Sequence, residues 1–162
     1  MISTARCSTF LLVVALCSGC SSFQRKWDAV GKPGKFQQAS RWDGRWTSAR
    51  HKTAAGAPDG GRLRCVFESA ASAGMVAHFH ANWQAFAADY TVNFTPPTAA
   101  KAKTSRGVVE LRGSHELPKL FGGTYRYEAR IAGDRFRARY DSSYDTGTFE
   151  MTRQLTNATP IH

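Results

Sequence analysis

The chain has 162 residues, 42% apolar and 12% aromatic, which is enough for one packed core and excludes a disordered or collagen-like chain. Its 22 Lys and Arg against 12 Asp and Glu leave a formal charge of +10, which points to acidic partners. Four cysteines allow two disulfides only if all four stay in the folded domain, so their positions decide.

The first predicted element, residues 1–19, is an address. Arg6 is the only charge before Arg25, and Phe10-Leu11-Leu12-Val13-Val14-Ala15-Leu16 forms an apolar run. That run suits a signal peptide and falls far short of the roughly 20 residues that cross a bilayer as a helix. Cys17-Ser18-Gly19-Cys20 follows, and small residues ahead of a cysteine resemble the lipobox of bacterial lipoproteins, with Cys17 where an aliphatic residue is the rule. The resemblance covers about the first 22 residues and implies cleavage after residue 19 and diacylation of Cys20. Ser21 stands where Asp would resemble an inner-membrane retention signal, so the implied location is the periplasmic face of an outer membrane, or the cell surface. Two other readings are an unlipidated secretory signal and a Cys-x-x-Cys redox pair. The redox pair needs a strand before it and a helix start at it, which the end of a signal peptide does not offer. With Cys7 and Cys17 removed and Cys20 acylated, Cys65 remains alone; the mature chain then has no intramolecular disulfide and a charge of +9.

Residues 20–40 read as a basic flexible tether, because Gly31-Lys32-Pro33-Gly34-Lys35 interrupts any helix. Between Cys20 and Lys52 eight basic residues stand against two acidic ones, a net of +6. Trp27 and Phe36 in this tether either dip into the lipid interface or dock on the domain.

From residue 41 to 156 the apolar period becomes two, which predicts strands. Trp42, Gly44, Trp46 and Ser48 share one face of the first, and Leu63, Cys65 and Phe67 alternate with Arg62, Arg64 and Glu68 in the second. Met75, Ala77, Phe79 and Ala81 mark the third; Phe86, Ala88, Tyr90, Val92 and Phe94 mark the fourth, stopped by Pro96-Pro97. Val109 and Leu111 sit in a fifth strand near 106–112, and Tyr125, Tyr127, Ala129 and Ile131 face inward from a sixth. Phe136, Ala138 and Tyr140 belong to a seventh, and Phe149 and Met151 to an eighth, before a tail at 157–162. Gly133-Asp134 as a two-residue loop sets Ile131 opposite Phe136, Ala129 opposite Ala138 and Tyr127 opposite Tyr140. On the other face it sets Glu128 opposite Arg139 and Arg126 opposite Asp141, with Arg130 facing Arg137.

These eight short antiparallel strands predict an all-β, up-and-down barrel, with a β-sandwich as the alternative. Gly44-Arg45-Trp46 resembles the Gly-x-Trp of the calycins (lipocalins and avidins), and lipocalins place an Arg of the last strand over that Trp, a part open to Arg153. The chain departs from that pattern in lacking a Thr-Asp-Tyr motif before the last two strands and a C-terminal helix. As a whole it resembles small lipid-anchored β proteins of bacterial envelopes, a likeness that implies no activity.

Little in the sequence carries chemistry. His78 and His80 point one way from the third strand and form a weak candidate metal pair, with Asp89, Glu68 or His51 as a third ligand. Ser114-His115-Glu116 contains triad residue types, but adjacency on a strand sends alternate side chains to opposite faces. No nucleophile elbow, zinc helix or phosphate loop occurs, so the expectation is a non-enzyme without cofactor. Arg126, Arg130, Arg135, Arg137 and Arg139 form a candidate anion-binding face for lipid headgroups or an acidic envelope polymer. Trp46, Phe67, Phe79, Tyr90, Tyr125, Tyr127 and Tyr140 form a candidate cavity for a small amphipathic ligand, or else a solid core. Nucleic acid is not an expected partner of an exported, membrane-anchored chain. The rival reading is a structural or interaction lipoprotein that binds no small molecule.

Overall fold

A computed structural model of the chain describes residues 22–30, 32, 38–70, 74–83, 86–97, 107–119 and 122–155. Eight strands follow one another: β1 (Ala39–Lys52), β2 (Pro58–Ser69), β3 (Met75–Trp83), β4 (Phe86–Thr95), β5 (Val108–Glu116), β6 (Thr124–Ala132), β7 (Arg135–Asp141) and β8 (Thr146–Gln154). Each pairs antiparallel with the next, and β1 also pairs with β8 from Arg41↔Gln154 to Ser48↔Gly147. The sheet therefore closes on itself, which sets the sandwich alternative aside and removes most exposed edges.

The two-residue period reads directly as inside and outside. β7 alternates exposed and buried at every position, and the inward rows of β2, β3, β6 and β8 are those expected from their apolar residues. The β6–β7 register also follows the turn chemistry. Gly133, at φ 60°, takes a left-handed conformation suited to a primed hairpin turn, and Arg126↔Asp141 through Ile131↔Phe136 pair as its loop length dictates. Val109 is the exception. It lies on the inward row yet is 47% exposed, because β4 ends at Thr95 opposite Arg112 and no β4 rung flanks it.

The interior has two storeys. At the floor, where β1 begins and β6 turns into β7, Trp42, Phe67, Phe94 and Phe136 are fully buried and pack ring to ring, with Phe67 and Phe136 centroids 5.0 Å apart. Such pairs add about 0.5–1.5 kcal/mol each beyond the burial of their area. The Arg153 guanidinium caps this floor 4.9 Å over the Trp42 ring, and its backbone N–H donates to the Asp134 carbonyl at 2.8 Å. The upper storey includes side chains that are only partly buried and is described below.

Residues 22–29, expected within a flexible tether, instead form a helix, α1, lying on the outer wall of β1–β3. Phe23, Trp27 and Val30 recur at helical spacing and cover Val66, an apolar residue on the otherwise polar outer row of β2. Arg41 donates to the carbonyls of Trp27 (2.7 Å) and Val30 (3.1 Å), satisfying acceptors that a helix C-terminus leaves open. Phe36 lies outside the described residues, as does Cys20.

Candidate ligand-binding mouth and flanking surfaces

The barrel mouth lies at the opposite end, where β1 leads to β2, β5 to β6 and β7 to β8. Its tightest feature is a buried polar knot. Asp145, 6% exposed, accepts from Ser48 Oγ (2.7 Å), Tyr140 Oη (2.7 Å) and the Thr146 backbone N–H (2.8 Å). Among the described residues no cation pairs with it. Ser48 in turn accepts from the backbone N–H groups of Arg50 and His51, where β1 bulges away from β2 between Thr47 and Lys52. Burial first, then the bond to Asp145 and the carboxylate's negative charge, pushes the Tyr140 phenol far above its ordinary pKa. Gly147 is required here, since a Cβ would collide with the Tyr140 hydroxyl and the Thr47 carbonyl.

Around this knot the inward side chains keep partial exposure. Trp46, Tyr90 and Tyr125 are only partly buried, unlike the floor aromatics. Tyr90 stacks on Phe79 at 5.2 Å and meets the His115 ring at 5.4 Å, while Tyr125 lies 6.0 Å from Tyr140. Burial lowers the pKa of His115 against the opposing pull of the Thr91 backbone and Glu116, so the ring is held toward its neutral form. Burial raises the phenols of Tyr90 and Tyr127, the Tyr90 hydroxyl being desolvated although the residue as a whole is only partly buried. The upper storey thus offers apolar ring faces with neutral hydroxyl and imidazole groups among them.

β4 and β5 share only three rungs, Asn93↔Ser114, Phe94↔Gly113 and Thr95↔Arg112. Gly113 permits that close approach, since a Cβ there would strike Val92 Cγ1 and crowd Asn93 and Phe94. Above Ser114, among the described residues, the seam is closed by side chains, with His115 against the Thr91 backbone and Tyr90 against His115. A wall closed by side chains opens more readily than one closed by a ladder.

The residues expected to line a cavity therefore divide. Phe67 belongs to the packed floor. Phe79, Tyr127 and Tyr140 are buried in the middle layer, where Phe149 links the rings of Phe79, Tyr127 and Tyr140 at 5.5, 5.8 and 5.1 Å. Trp46, Tyr90 and Tyr125 remain at the mouth. Cys65 is fully buried, and burial pushes its thiol up, so it packs as a small apolar group. Arg153 stacks on Trp42 and not on Trp46, the Trp of Gly-x-Trp, whose Nε1 donates to the Asn82 carbonyl at 3.1 Å. The β1–β8 register accounts for this, pairing Trp42 with Arg153 and Trp46 with Phe149.

The arginine face is exposed as expected but is not a uniform positive field. It forms part of a grid on the outside of β5–β8, over an open concavity of about 530 Å³. One row reads Arg112, Glu128, Arg139, Thr148 and the next Glu110, Arg130, Arg137, Glu150. Glu128 faces Arg139 in register, yet its carboxylate sits with Arg112 at 3.3 Å, and Arg137 sits with Glu150 at 3.6 Å. Arg126 faces Asp141, and Arg135 sits at the floor end opposite Thr152. Interspersed carboxylates weaken any long-range pull on an acidic polymer.

His78 and His80 do share an outward row, but each is engaged separately. His80 Nδ1 lies 2.5 Å from Asp89 and its ring stacks on Phe23 of α1 at 5.1 Å; His78 Nε2 lies 3.4 Å from Glu68. His51 stacks on Tyr144 at the mouth, well away from both. Among the described residues no three metal-ligating groups converge. Ser114 and Glu116 face outward while His115 faces inward, so those three do not assemble.

Fold and site together define a small closed antiparallel barrel with a packed floor, a polar-aromatic mouth and a helix on its flank. Comparison with family models, curated proteins and solved structures returns no match.

Proposed function

We propose that the chain is a lipid-anchored protein of the bacterial envelope, acylated at Cys20, whose barrel takes a small amphipathic ligand at its mouth without catalysing a reaction. The carrying observation is the division of the interior: rings close the floor, whereas Trp46, Tyr90 and Tyr125 keep partial exposure around the buried Asp145 knot. Partly exposed rings beside hydroxyl groups suit an apolar body with a polar head. The β4–β5 seam, held by three rungs, is the part of the wall that would open to admit it. The compensated charge grid on β5–β8 favours this reading over an acidic polymer on the arginine face. The signal-like run and Cys17-Ser18-Gly19-Cys20 support the anchor and an address at the periplasmic face of the outer membrane.

A second reading, a structural or interaction lipoprotein with a solid core, draws support from the ring-packed floor. Native mass spectrometry of the protein purified from its host separates the two. A releasable small amphiphile, lost in Trp46→Ala and Tyr90→Ala, is the expected result. A bare mass, together with failure of 1-anilinonaphthalene-8-sulfonate to bind, would leave the solid-core reading standing.

A further inference from the structure

We infer that α1 fixes the barrel against the bilayer, with the outer wall of β1 and β2 beside the helix meeting anionic headgroups. This rests on the acylation of Cys20 proposed above. Cys20 lies two residues before Ser22, the first residue of α1, and two residues span at most about 7 Å. An acyl anchor there is therefore within about 7 Å of α1, at the near end of a helix that is bound to the barrel and not at the end of a loose tether.

The helix has no independent reason to persist. Eight residues are too few to hold helical structure in water, so α1 exists because it is docked. Five kinds of contact hold it. Phe23 and Val30 are each 3% exposed over Val66, and Phe23 stacks on His80. Lys26 reaches Glu68 at 3.1 Å, and Arg41 binds the last carbonyls. Trp27 is flanked by the guanidinium groups of Arg41 (5.6 Å) and Arg64 (5.3 Å), so it is committed to the barrel and not to lipid. α1 and the wall beside it thus form one packed body.

The charge beside the helix fits a headgroup layer. Seven basic residues, Arg25, Lys26, Lys32, Arg41, Arg45, Arg62 and Arg64, lie on or beside α1 and along the outer rows of β1 and β2, against Asp28, Asp43 and Glu68. The opposite wall carries six arginines among Glu110, Glu128, Asp141 and Glu150, a net of +2 against +4 beside the helix. Anionic lipid attracts basic residues held within a Debye length of its surface, and a lipid anchor at that distance keeps them there.

The test uses the mature protein on vesicles of phosphatidylcholine with phosphatidylglycerol, with one exposed arginine replaced by cysteine and labelled by a membrane-impermeant maleimide. Arg62→Cys lies on the outer row of β2 next to Arg64, which stacks on α1, and Arg130→Cys lies on β6, across the barrel. Relative to detergent solution, labelling at 62 should slow by roughly fivefold or more on vesicles while labelling at 130 changes by less than about twofold. Phe23→Ala, which frees the helix, should restore labelling at 62 while the protein still floats with the vesicles. A mature chain without the acyl mass overturns the anchor and this surface with it. An acylated, floating protein that labels equally at both positions overturns the surface alone, as does protection at 62 that persists in Phe23→Ala.

Discussion

Removing the Tyr140 hydroxyl tests whether the mouth is held by its buried polar knot. In Tyr140→Phe, Asp145 loses one of three donors at a site where both side chains are 6% exposed. A hydrogen bond to a buried charge contributes about 1.5–3 kcal/mol, so the expected loss is about 2 kcal/mol. Asp145→Ala goes further, since it strands the hydroxyls of Ser48 and Tyr140, 97 and 5 residues away in sequence. Each stranded group costs about 1–3 kcal/mol, partly offset by removing a desolvated carboxylate, for a net of about 2–4 kcal/mol. In the double variant there is no phenol left to strand, so the two losses should fall short of additivity by about 1 kcal/mol or more. Urea unfolding followed by tryptophan fluorescence measures all four proteins, and these losses are a large share of a typical 5–15 kcal/mol stability. A Tyr140→Phe protein within about 0.5 kcal/mol of wild type, or strictly additive losses, would refute the reasoning.

Two further outcomes follow from the same geometry. Phe136→Ala, in the fully buried floor, should cost about 3–5 kcal/mol, whereas Trp46→Ala at the half-open mouth should cost under about 2 kcal/mol; equal losses by the same unfolding assay would contradict the two-storey interior. Burial depresses the pKa values of His78 and His115 below their ordinary 6.5, with Lys26 adding to the effect at His78. The unfolded chain therefore binds more protons than the native one as pH drops through 6.5, and stability should decline on acidification from pH 7.5 to 5.5. Replacing both residues by Gln should flatten that decline, and an unchanged slope would count against the two imidazoles as its source.

The proposed ligand and anchor draw on different kinds of information. The anchor is written in a contiguous run ending at Cys20, where chemistry depends on neighbours in sequence. The mouth depends on residues from β1, β4, β5, β6 and β7, and its polar centre brings Ser48 to Asp145 across nearly the whole domain. Asp145 reads in sequence as an ordinary turn residue. Only closure of β8 onto β1 brings it under the bulge that carries Ser48.

The sequence alone determined eight strands, their inward rows and the β6–β7 register. Those features are set by alternation along a strand and by a two-residue turn, both local properties. Three things were decided only by tertiary structure. The helix at 22–29 is too short to stand alone, and its one sequence signal, Phe23, Trp27 and Val30 at helical spacing, gains meaning from Val66, apolar on the outer row of β2. Arg153 meets Trp42 and not Trp46 because the β1–β8 register, which only barrel closure sets, places it there. The five arginines of one hairpin read as a positive face until β5 and β8 bring Glu110 and Glu150 alongside them. Short-range pattern specifies each strand and turn. The neighbours that neutralise a charge, cover a helix or bury a carboxylate arrive from distant sequence, and only the closed barrel brings them together.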